Sequence, residues 1–372
     1  MKRLALILGV ASLLSFFVIQ PARAATFITL SAPGTRTLGD KFINDDLAMS
    51  LGYDGALGKL IFAPTPGARI WAIDPLLIDE VSAMASGYKL ESNTVGEGVT
   101  VAQIWLARLK AVTRRDAILA LPYGSPSGYW IHRLDPHDES YFLGVGAEKL
   151  QNFFGRPVST STTYANRSWF KLPTDVIYTF AGAVKTLQAT GSFINAADLE
   201  KFHLRIANIL NPAMDKSRRA LLAADIDQTM GSLNRKIRLA QSKFTVTSQH
   251  QKLPITVIND FDNQGVIKLE VEALNSKVEV ANLPQTITVA GKSKLQVFIP
   301  ITVITSGQST IRVTLKNNQG SALGDPVLYR LSLSVISPIA TWFTSIAALL
   351  LFAGALIQSF RRLRKKRAGE NE

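Results

Sequence analysis

An almost unbroken apolar run near the C-terminus, from Ile339 to Phe360, constrains this chain more than any other feature. A helix needs about 20 consecutive apolar residues to cross a bilayer, and this run is long enough. Trp342 lies near its outer edge, where an amphipathic ring prefers the headgroup region. We therefore expect residues 338–360 to form one transmembrane helix.

A basic cluster follows this apolar run directly. Its lysines and arginines are Arg361, Arg362, Arg364, Lys365, Lys366 and Arg367. Positive charge beside a span favours the cytoplasmic side of the membrane, so residues 361–372 are predicted to be a cytoplasmic tail. The cluster also attracts anionic lipid. Nucleic-acid binding is not predicted, because no aromatic residues are interleaved with the charges.

The N-terminus has the pattern of a secretory signal. Two basic residues precede an apolar run over residues 4–19, and Ala22-Arg23-Ala24 then has the small-x-small form that a signal peptidase accepts. A retained anchor is the alternative, but the run is shorter than the ~20 residues that a span needs. We expect a signal peptide over residues 1–24. The predicted product is a single-pass cell-membrane protein with its N-terminus outside and its C-terminus in the cytoplasm.

The absence of cysteine excludes several classes of chemistry. With no cysteine in 372 residues, the chain has no disulfide framework, no thiolate nucleophile, no thiolate metal site and no lipid-modified cysteine. An exported chain without disulfides is more typical of a bacterium than of a eukaryotic secretory pathway. Of the formal net charge of +13, the predicted signal peptide contributes +3 and the predicted tail +4. The remaining +6 suits an ectodomain surface that faces anionic lipid or anionic wall polymer.

The sequence changes character near residue 243. Beyond this point, short segments alternate apolar and polar residues and are separated by turn residues. The seven predicted strands are 244–247, 253–258, 266–274, 286–289, 295–303, 310–315 and 329–335. About seven short strands in a segment of this length indicate a β-sandwich of immunoglobulin-like type. We assign the sandwich to residues 243–337, immediately before the predicted span.

Residues 65–242 predict an α/β domain, because short apolar runs alternate there with helical periods. The predicted strands are 69–74 and 117–122, with 176–180 as a further one, and the predicted helices are 76–85, 101–112, 196–210 and 215–239. This alternation indicates part of a (β/α)-barrel-like fold, with too few strands for a complete eight-fold barrel. Residues 25–64 are predicted to be an extended or partly ordered segment.

Several motifs occur in an order that resembles a known family. They are Trp71 to Leu77, Trp105-Leu106, Leu121 to Gly124, Leu253 to Asp260 and the terminal anchor with its basic tail. The set resembles an uncharacterised, domain-of-unknown-function family of actinobacterial membrane-anchored proteins, often encoded beside the MurJ-type lipid II flippase. The similarity covers about residues 65–367 and implies a setting in cell-wall assembly. Ser125 and Ser127 stand where this family has aspartates, so acid chemistry is not carried over to that loop.

Asp74 is the first candidate catalytic residue. It follows a predicted strand, and α/β enzymes place catalytic carboxylates at the carboxyl ends of such strands. Asp74 also precedes Pro75 at the start of a predicted helix, a pattern typical of an N-cap followed by proline at the first helical position. The sequence favours the cap.

The loop after the second predicted strand contains three aromatic residues. Tyr123, Tyr129 and Trp130 are candidates for a stacking platform that binds a sugar ring. In the alternative interpretation, the loop is a connector rich in glycine and proline whose rings are partly buried. The sequence does not decide between the two.

The segment from His132 to Glu139 contains two of the four histidines. Imidazole and carboxylate groups bind metals, but a metal site also needs remote ligands that the sequence does not identify, so we predict neither a metal nor a cofactor. Asp135 and His137 remain weak catalytic candidates. Glycoside hydrolysis requires two carboxyl groups about 5 to 10 Å apart, and Asp74 with Asp135 is the least implausible pair.

Two classes of function remain open. The first is a non-catalytic binding or scaffold module of the cell envelope, whose partners are a wall glycan or precursor, or an envelope protein such as a lipid II flippase. The second is a cell-wall glycan hydrolase or deacetylase that uses Asp74 with residues 132–139. The missing cysteines and the incomplete ligand set favour the binding module over the enzyme.

Overall fold

The computed structural model describes residues 25–160, 169–281, 286–334 and 338–368. The predicted signal peptide lies outside these residues. The chain divides into two compact units, each built from three segments. Unit 1 consists of Met1–Gly34, Asn44–Ser125 and His137–Asn166. Unit 2 consists of Thr35–Ile43, Pro126–Pro136 and Arg167–Glu372.

Unit 1 is built on a curled sheet of four parallel strands that follow one another in chain order. The strands are β1 (Thr26–Leu30), β2 (Arg69–Ile73), β3 (Ala117–Ala120) and β4 (Ser159–Thr160). The helices of this unit are α1 (Asp46–Leu51), α2 (Ala56–Phe62), α3 (Pro75–Ala85), α4 (Val99–Thr113) and α6 (Glu139–Phe154). This order of parallel strands and helices is that of half a (β/α) barrel, in agreement with the predicted α/β class.

Apolar side chains of β2, α3 and α4 form the core of unit 1. Trp71 and Trp105 are fully buried there. Their indole groups are satisfied, because Trp71 donates to Oδ2 of Asp116 at 2.8 Å and Trp105 donates to the carbonyl of Leu57 at 3.3 Å. The strands predicted at 69–74 and 117–122 and the helices predicted at 76–85 and 101–112 are present, with ends shifted by at most two residues.

Residues 25–64 contain more regular structure than the sequence predicted. They include β1, α1 and α2. β1 pairs with β2 in parallel from Thr26 opposite Arg69 to Leu30 opposite Ile73, so it completes one edge of the sheet. The prediction of an extended or partly ordered segment missed this strand because only two of its five side chains are buried.

The helices of unit 2 correct one strand prediction. They are α5 (Gly128–Leu134), α7 (Thr174–Thr190), α8 (Ala196–Ile206) and α9 (Lys216–Lys236). The strand predicted at 176–180 is wrong, because these residues lie in α7. Val176, Phe180, Ala183 and Leu187 are all buried, and their spacing of four, three and four residues is helical.

Two β-sheets follow these helices. Their strands are β5 (Ile237–Leu239), β6 (Lys243–Val246), β7 (His250–Asn259), β8 (Gly265–Ala273), β9 (Val278–Val280), β10 (Ile287–Val289), β11 (Ser293–Val303), β12 (Gly307–Asn317) and β13 (Val327–Leu333). One sheet has the order β10-β8-β12-β13-β6 and the other β5-β7-β11-β9. Neighbouring strands are antiparallel except β6 and β13, which are parallel. Each of the seven predicted strands therefore has a counterpart.

The predicted helix 215–239 is too long at its C-terminal end. α9 ends at Lys236, and the next three residues form β5, which pairs with β7. Regular β-structure thus begins before the predicted boundary at residue 243. Ile237 and Leu239 are buried while Arg238 is exposed, which is the alternation of a strand.

A tenth helix, α10 (Pro338–Ala368), covers the C-terminal apolar run and most of the basic tail. Among the residues that the structure describes, no helix combines the length and the apolar character needed to cross a membrane.

Candidate functional site

Asp74 lies directly after β2 and is fully buried. Its Oδ1 accepts hydrogen bonds from the backbone N–H groups of Leu76 at 3.0 Å and Gly124 at 2.9 Å. Its Oδ2 accepts from the hydroxyl groups of Ser125 at 2.7 Å and Ser31 at 3.3 Å. The bond from Leu76 makes Asp74 the N-cap of α3, with Pro75 at the first helical position. Asp74 therefore connects the carboxyl ends of β1, β2 and β3.

The loop after β3 takes its shape from two residues with positive φ. Gly124 has a φ of 74° and Ser125 a φ of 44°, and this left-handed pair turns the chain back over the end of β2. The N–H of Ser125 donates to the carbonyl of Pro122 at 2.9 Å. The turn thereby directs the N–H of Gly124 and the hydroxyl of Ser125 at the same carboxylate. We call Ser31, Asp74, Gly124 and Ser125 the strand-end cluster.

Burial raises the pKa of the Asp74 carboxyl to about 6, against the opposing effect of the hydrogen bonds from Ser125, Gly124, Leu76 and Ser31. Both carboxylate oxygens already accept two bonds each. A carboxylate that acts as nucleophile or general base must reach the reacting atom directly or through one water molecule. In the strand-end cluster, hydrogen-bond donors of the protein occupy the place beside the Asp74 carboxylate where the reacting atom or the water molecule would have to lie.

Tyr123 belongs to unit 1 and is only 3% exposed. Its hydroxyl donates to Oδ2 of Asp79 at 3.1 Å, and Asp79 also lies 3.5 Å from the ammonium group of Lys149. The same ammonium group is 5.9 Å from the centre of the Tyr123 ring. The ring is therefore packed into unit 1 and leaves little face for a sugar.

Tyr129 and Trp130 belong to α5 in unit 2. Their rings meet edge to face, with centroids 5.3 Å apart and an angle of 88°. Trp130 is 7% exposed, and its indole N–H donates to the carbonyl of Phe170 at 3.0 Å. Tyr129 is half-buried. Of the three aromatic candidates, Tyr129 thus offers the most ring surface to a ligand.

The two remaining candidates, Asp135 and His137, follow the C-terminal end of α5. Asp135 is the C-cap of α5 and is 8% exposed. It belongs to unit 2, whereas Asp74 belongs to unit 1. One carboxylate oxygen of Asp135 and one ring nitrogen of His203 lie within 4.8 Å of each other. His137 is in a short 3-10 helix, and its side chain lies outside the described part of the chain.

Sequence reasoning missed Ser31, Gly124 and Ser125 as partners of Asp74. Ser31 and Ser125 are 43 and 51 residues away from Asp74 in the chain. For Ser125 the available signal was positional, because it follows the predicted strand 117–122 and the carboxyl ends of neighbouring parallel strands meet at one edge of a sheet. Ser31 follows β1, which was not predicted.

Comparisons with solved structures give only partial likenesses. The first, Escherichia coli alpha-2-macroglobulin in its native conformation, is 16% identical over 26% of this chain and 6% of its own, with a TM-score of 0.22. WR4, a C. elegans member of the MSP family, is 13% identical over 26% of this chain and 97% of its own, with a TM-score of 0.21. A FixG-related protein from Vibrio parahaemolyticus is 20% identical over 23% of this chain and 78% of its own, with a TM-score of 0.19.

This chain spans a small fraction of the first two structures found, 6% and 16% of two E. coli alpha-2-macroglobulin chains. No curated protein matches it. A family model does match, over residues 163–369, which is more than half of the chain. The matched region includes α7 to α9, both β-sheets and α10. The chain therefore belongs to the family of unknown function DUF6049.

Proposed function

We propose that this protein is a membrane-anchored, extracytoplasmic module that binds or scaffolds components of cell-wall assembly and catalyses no reaction. The observation that carries the proposal is the strand-end cluster. Asp74 is the candidate best placed for catalysis, yet it is fully buried and both of its oxygens are occupied by protein donors. A carboxylate in this state holds the ends of three strands together and exposes no surface to a substrate.

One observation favours the alternative, a wall glycan hydrolase or deacetylase. The pKa of Asp74, raised to about 6 by burial, is that of a carboxyl group suited to act as a general acid near neutral pH. A general acid must contact a leaving group. Because the strand-end cluster surrounds Asp74 with protein donors, it supports the role of helix cap rather than that of general acid.

Two parts of the proposal, the membrane anchor and the role in cell-wall assembly, rest on the sequence. The apolar run 339–360 and the basic residues after it support one C-terminal span with a cytoplasmic tail, and the strands that precede it support an immunoglobulin-like sandwich just outside the bilayer. The resemblance to proteins encoded beside a lipid II flippase supports a wall precursor, a glycan or an envelope protein as partner.

The proposal is tested by incubating the full chain in detergent with purified peptidoglycan and its lipid-linked precursor, with and without divalent metal, followed by mass spectrometry of the fragments. We expect both substrates to stay chemically unchanged. Cleavage or deacetylation products that vanish in Asp74→Asn or His137→Ala would establish the hydrolase instead. Tyr129→Ala is the informative aromatic variant for glycan binding, because Tyr123 and Trp130 are buried.

A further inference from the structure

The β-sheets of unit 2 have one end at which the chain leaves them. Leu333, the last residue of β13, lies opposite Gly307 of β12 and Val246 of β6. The helix α10 begins five residues later, at Pro338. Five residue steps reach at most about 18 Å, so the membrane anchor proposed above would hold this end of the sheets close to the bilayer. We call it the β13 end.

Three loops lie at the β13 end, and backbone hydrogen bonds join them. The loops are residues 247–249, 274–277 and 304–306. The N–H of Val303 donates to the carbonyl of Gln249 at 2.8 Å, and the N–H of Ile304 donates to the carbonyl of Lys277 at 2.8 Å. The three loops therefore form one continuous surface.

The large apolar side chains of these loops are exposed. Ile304 is 62% exposed and Leu274 is 42% exposed. The loops at the opposite end of the same sheets are residues 260–264, 290–292 and 318–326. Their large apolar residues, Phe261 and Leu323, are only 3% and 1% exposed. The two ends thus differ, because only the β13 end presents large apolar groups that the described part of the chain leaves in contact with solvent.

The two ends also differ in charge. Lys277 is the single charged residue in the loops of the β13 end, whereas the loops of the opposite end contain three aspartates and one lysine. A Cβ atom placed on Gly307 would lie 2.9 Å from the ammonium nitrogen of Lys277, so this charge lies beside the end of β13. Within the described residues, the side chain of Lys277 forms no ion pair. Phosphate groups of lipids attract such a cation and repel carboxylates.

Exposed apolar groups beside a cation, held at a membrane surface, are the features of an interfacial contact with lipid. We propose that the β13 end docks on the lipid surface, with Ile304 in the headgroup region and Lys277 against lipid phosphates. Leu274 lies farther from the bilayer, because its N–H donates to the carbonyl of Thr310 at 3.0 Å, three residues along β12 from Gly307. This inference rests on the membrane anchor proposed above and states how the sheets stand on it.

The absence of cysteine makes this contact measurable. A single cysteine can be introduced at a chosen position and labelled with a fluorophore that responds to polarity. The full chain is placed in nanodiscs of phosphatidylcholine and phosphatidylglycerol, and quenching by lipids that carry a nitroxide on the acyl chain is measured. We expect the label in Ile304→Cys to be quenched strongly, with its emission shifted to shorter wavelength.

Two further positions give the expected gradient. The label in Leu274→Cys should be quenched less than the label in Ile304→Cys, and the label in Leu328→Cys should not be quenched. Leu328 is a matched control for Ile304, because it is 56% exposed. It precedes the last residue of β13 by five residues, or about 17 Å of strand.

The cation is tested in the labelled Ile304→Cys chain. Lys277→Glu should reduce the quenching, because anionic lipid repels a carboxylate. Lys294→Glu changes an exposed cation at the opposite end of the sheets and should leave the quenching unchanged. Circular dichroism should be the same for all of these variants.

Leu350→Cys, in the middle of the apolar run, separates this inference from the anchor itself. Quenching of the label at 350 without quenching at 304 would overturn the lipid contact and leave the anchor standing. Equal quenching at 304 and 328, or no effect of Lys277→Glu, would also overturn it. No quenching at 350 would refute the anchor and the contact together. None of these outcomes depends on whether wall fragments are cleaved, so they do not bear on the non-catalytic proposal.

Discussion

The hydroxyl group of Ser125 donates a 2.7 Å hydrogen bond to Oδ2 of Asp74, across 51 residues of sequence. Ser125→Ala removes this donor but keeps the Cβ atom, so the left-handed backbone is equally strained in both proteins. Oδ2 then retains only the 3.3 Å bond from Ser31. We expect a loss of roughly 1–3 kcal/mol in the free energy of unfolding, measured by urea denaturation. Ser31→Ala should lose less, and a larger loss there would contradict the assigned geometry.

Titration of Asp74 should make a measurable contribution to the way in which the free energy of unfolding depends on pH. Burial raises the pKa of this carboxyl from 3.8 to about 6, so the folded state binds the proton more tightly than the unfolded state. The resulting stabilisation is complete below the unfolded pKa and is lost as the pH rises through about 6. At 1.36 kcal/mol for each pKa unit, the loss is about 3 kcal/mol.

The comparison protein for this measurement is Asp74→Asn, which has the same shape and does not titrate. Urea unfolding from about pH 4 to about pH 7 should show a fall in stability in the unsubstituted chain that is absent from Asp74→Asn. Because all other groups are shared, the difference between the two curves isolates Asp74. Parallel curves would show that its pKa is not raised.

Gly265 should be intolerant of a side chain. A Cβ atom at this position would lie 2.0 Å from Cε1 of Phe193, whose ring stacks on Phe261 with centroids 5.5 Å apart. We expect Gly265→Ala to lower the free energy of unfolding by roughly 1–3 kcal/mol through overpacking. In a Phe193→Leu background the same change should cost less. Equal effects in the two backgrounds would show that the ring is not the obstacle.

The strand β7 should tolerate charge on one face only. Val257 is fully buried, whereas Lys252 on the same strand is exposed. Val257→Asp buries an unpaired carboxylate, which costs several kcal/mol against a total stability of about 5–15, so the β-sheets should unfold. Lys252→Asp should leave the far-ultraviolet circular dichroism spectrum and the melting temperature nearly unchanged. The interpretation of β7 fails if the two variants behave alike.

The predicted topology can be tested with reporter fusions. A reporter active only in the cytoplasm should work when fused after Glu372 and stay silent when inserted near Asn318, because basic residues beside a span remain inside. N-terminal sequencing should find a mature chain that begins near Ala25. The opposite reporter pattern, or detection of Met1 in the mature protein, would refute the topology.

The sequence predicted best those helices and strands for which the local residue pattern and the tertiary environment favour the same secondary structure. β2 and β3 are short apolar runs in a buried parallel sheet, and Asp74-Pro75 begins α3 as a cap and a first-turn proline do. α7 was missed at 176–180 because its β-branched and aromatic residues favour strands locally. The burial of one face over the full 17 residues of the helix overrides that preference.

The strand-end cluster was only half predictable. The cap role of Asp74 is local and follows from the next residue, whereas its bonds from Ser31 and Ser125 depend on which strands become neighbours. β5 was missed because the predicted helix continued to residue 239, whereas α9 stops at Lys236 and the next residues pair with β7.

The interleaving of the two units determines what can fold while the chain is being synthesised. Thr35–Ile43 belongs to unit 2, where the N–H of Leu38 donates to Oδ2 of Asp225 at 2.7 Å and the guanidinium of Arg205 donates to the carbonyl of Thr37 at 2.9 Å. These partners leave the ribosome more than 160 residues later. The early segment therefore lacks these two partners until α8 and α9 have been made, and unit 2 cannot complete its fold in the order of its synthesis.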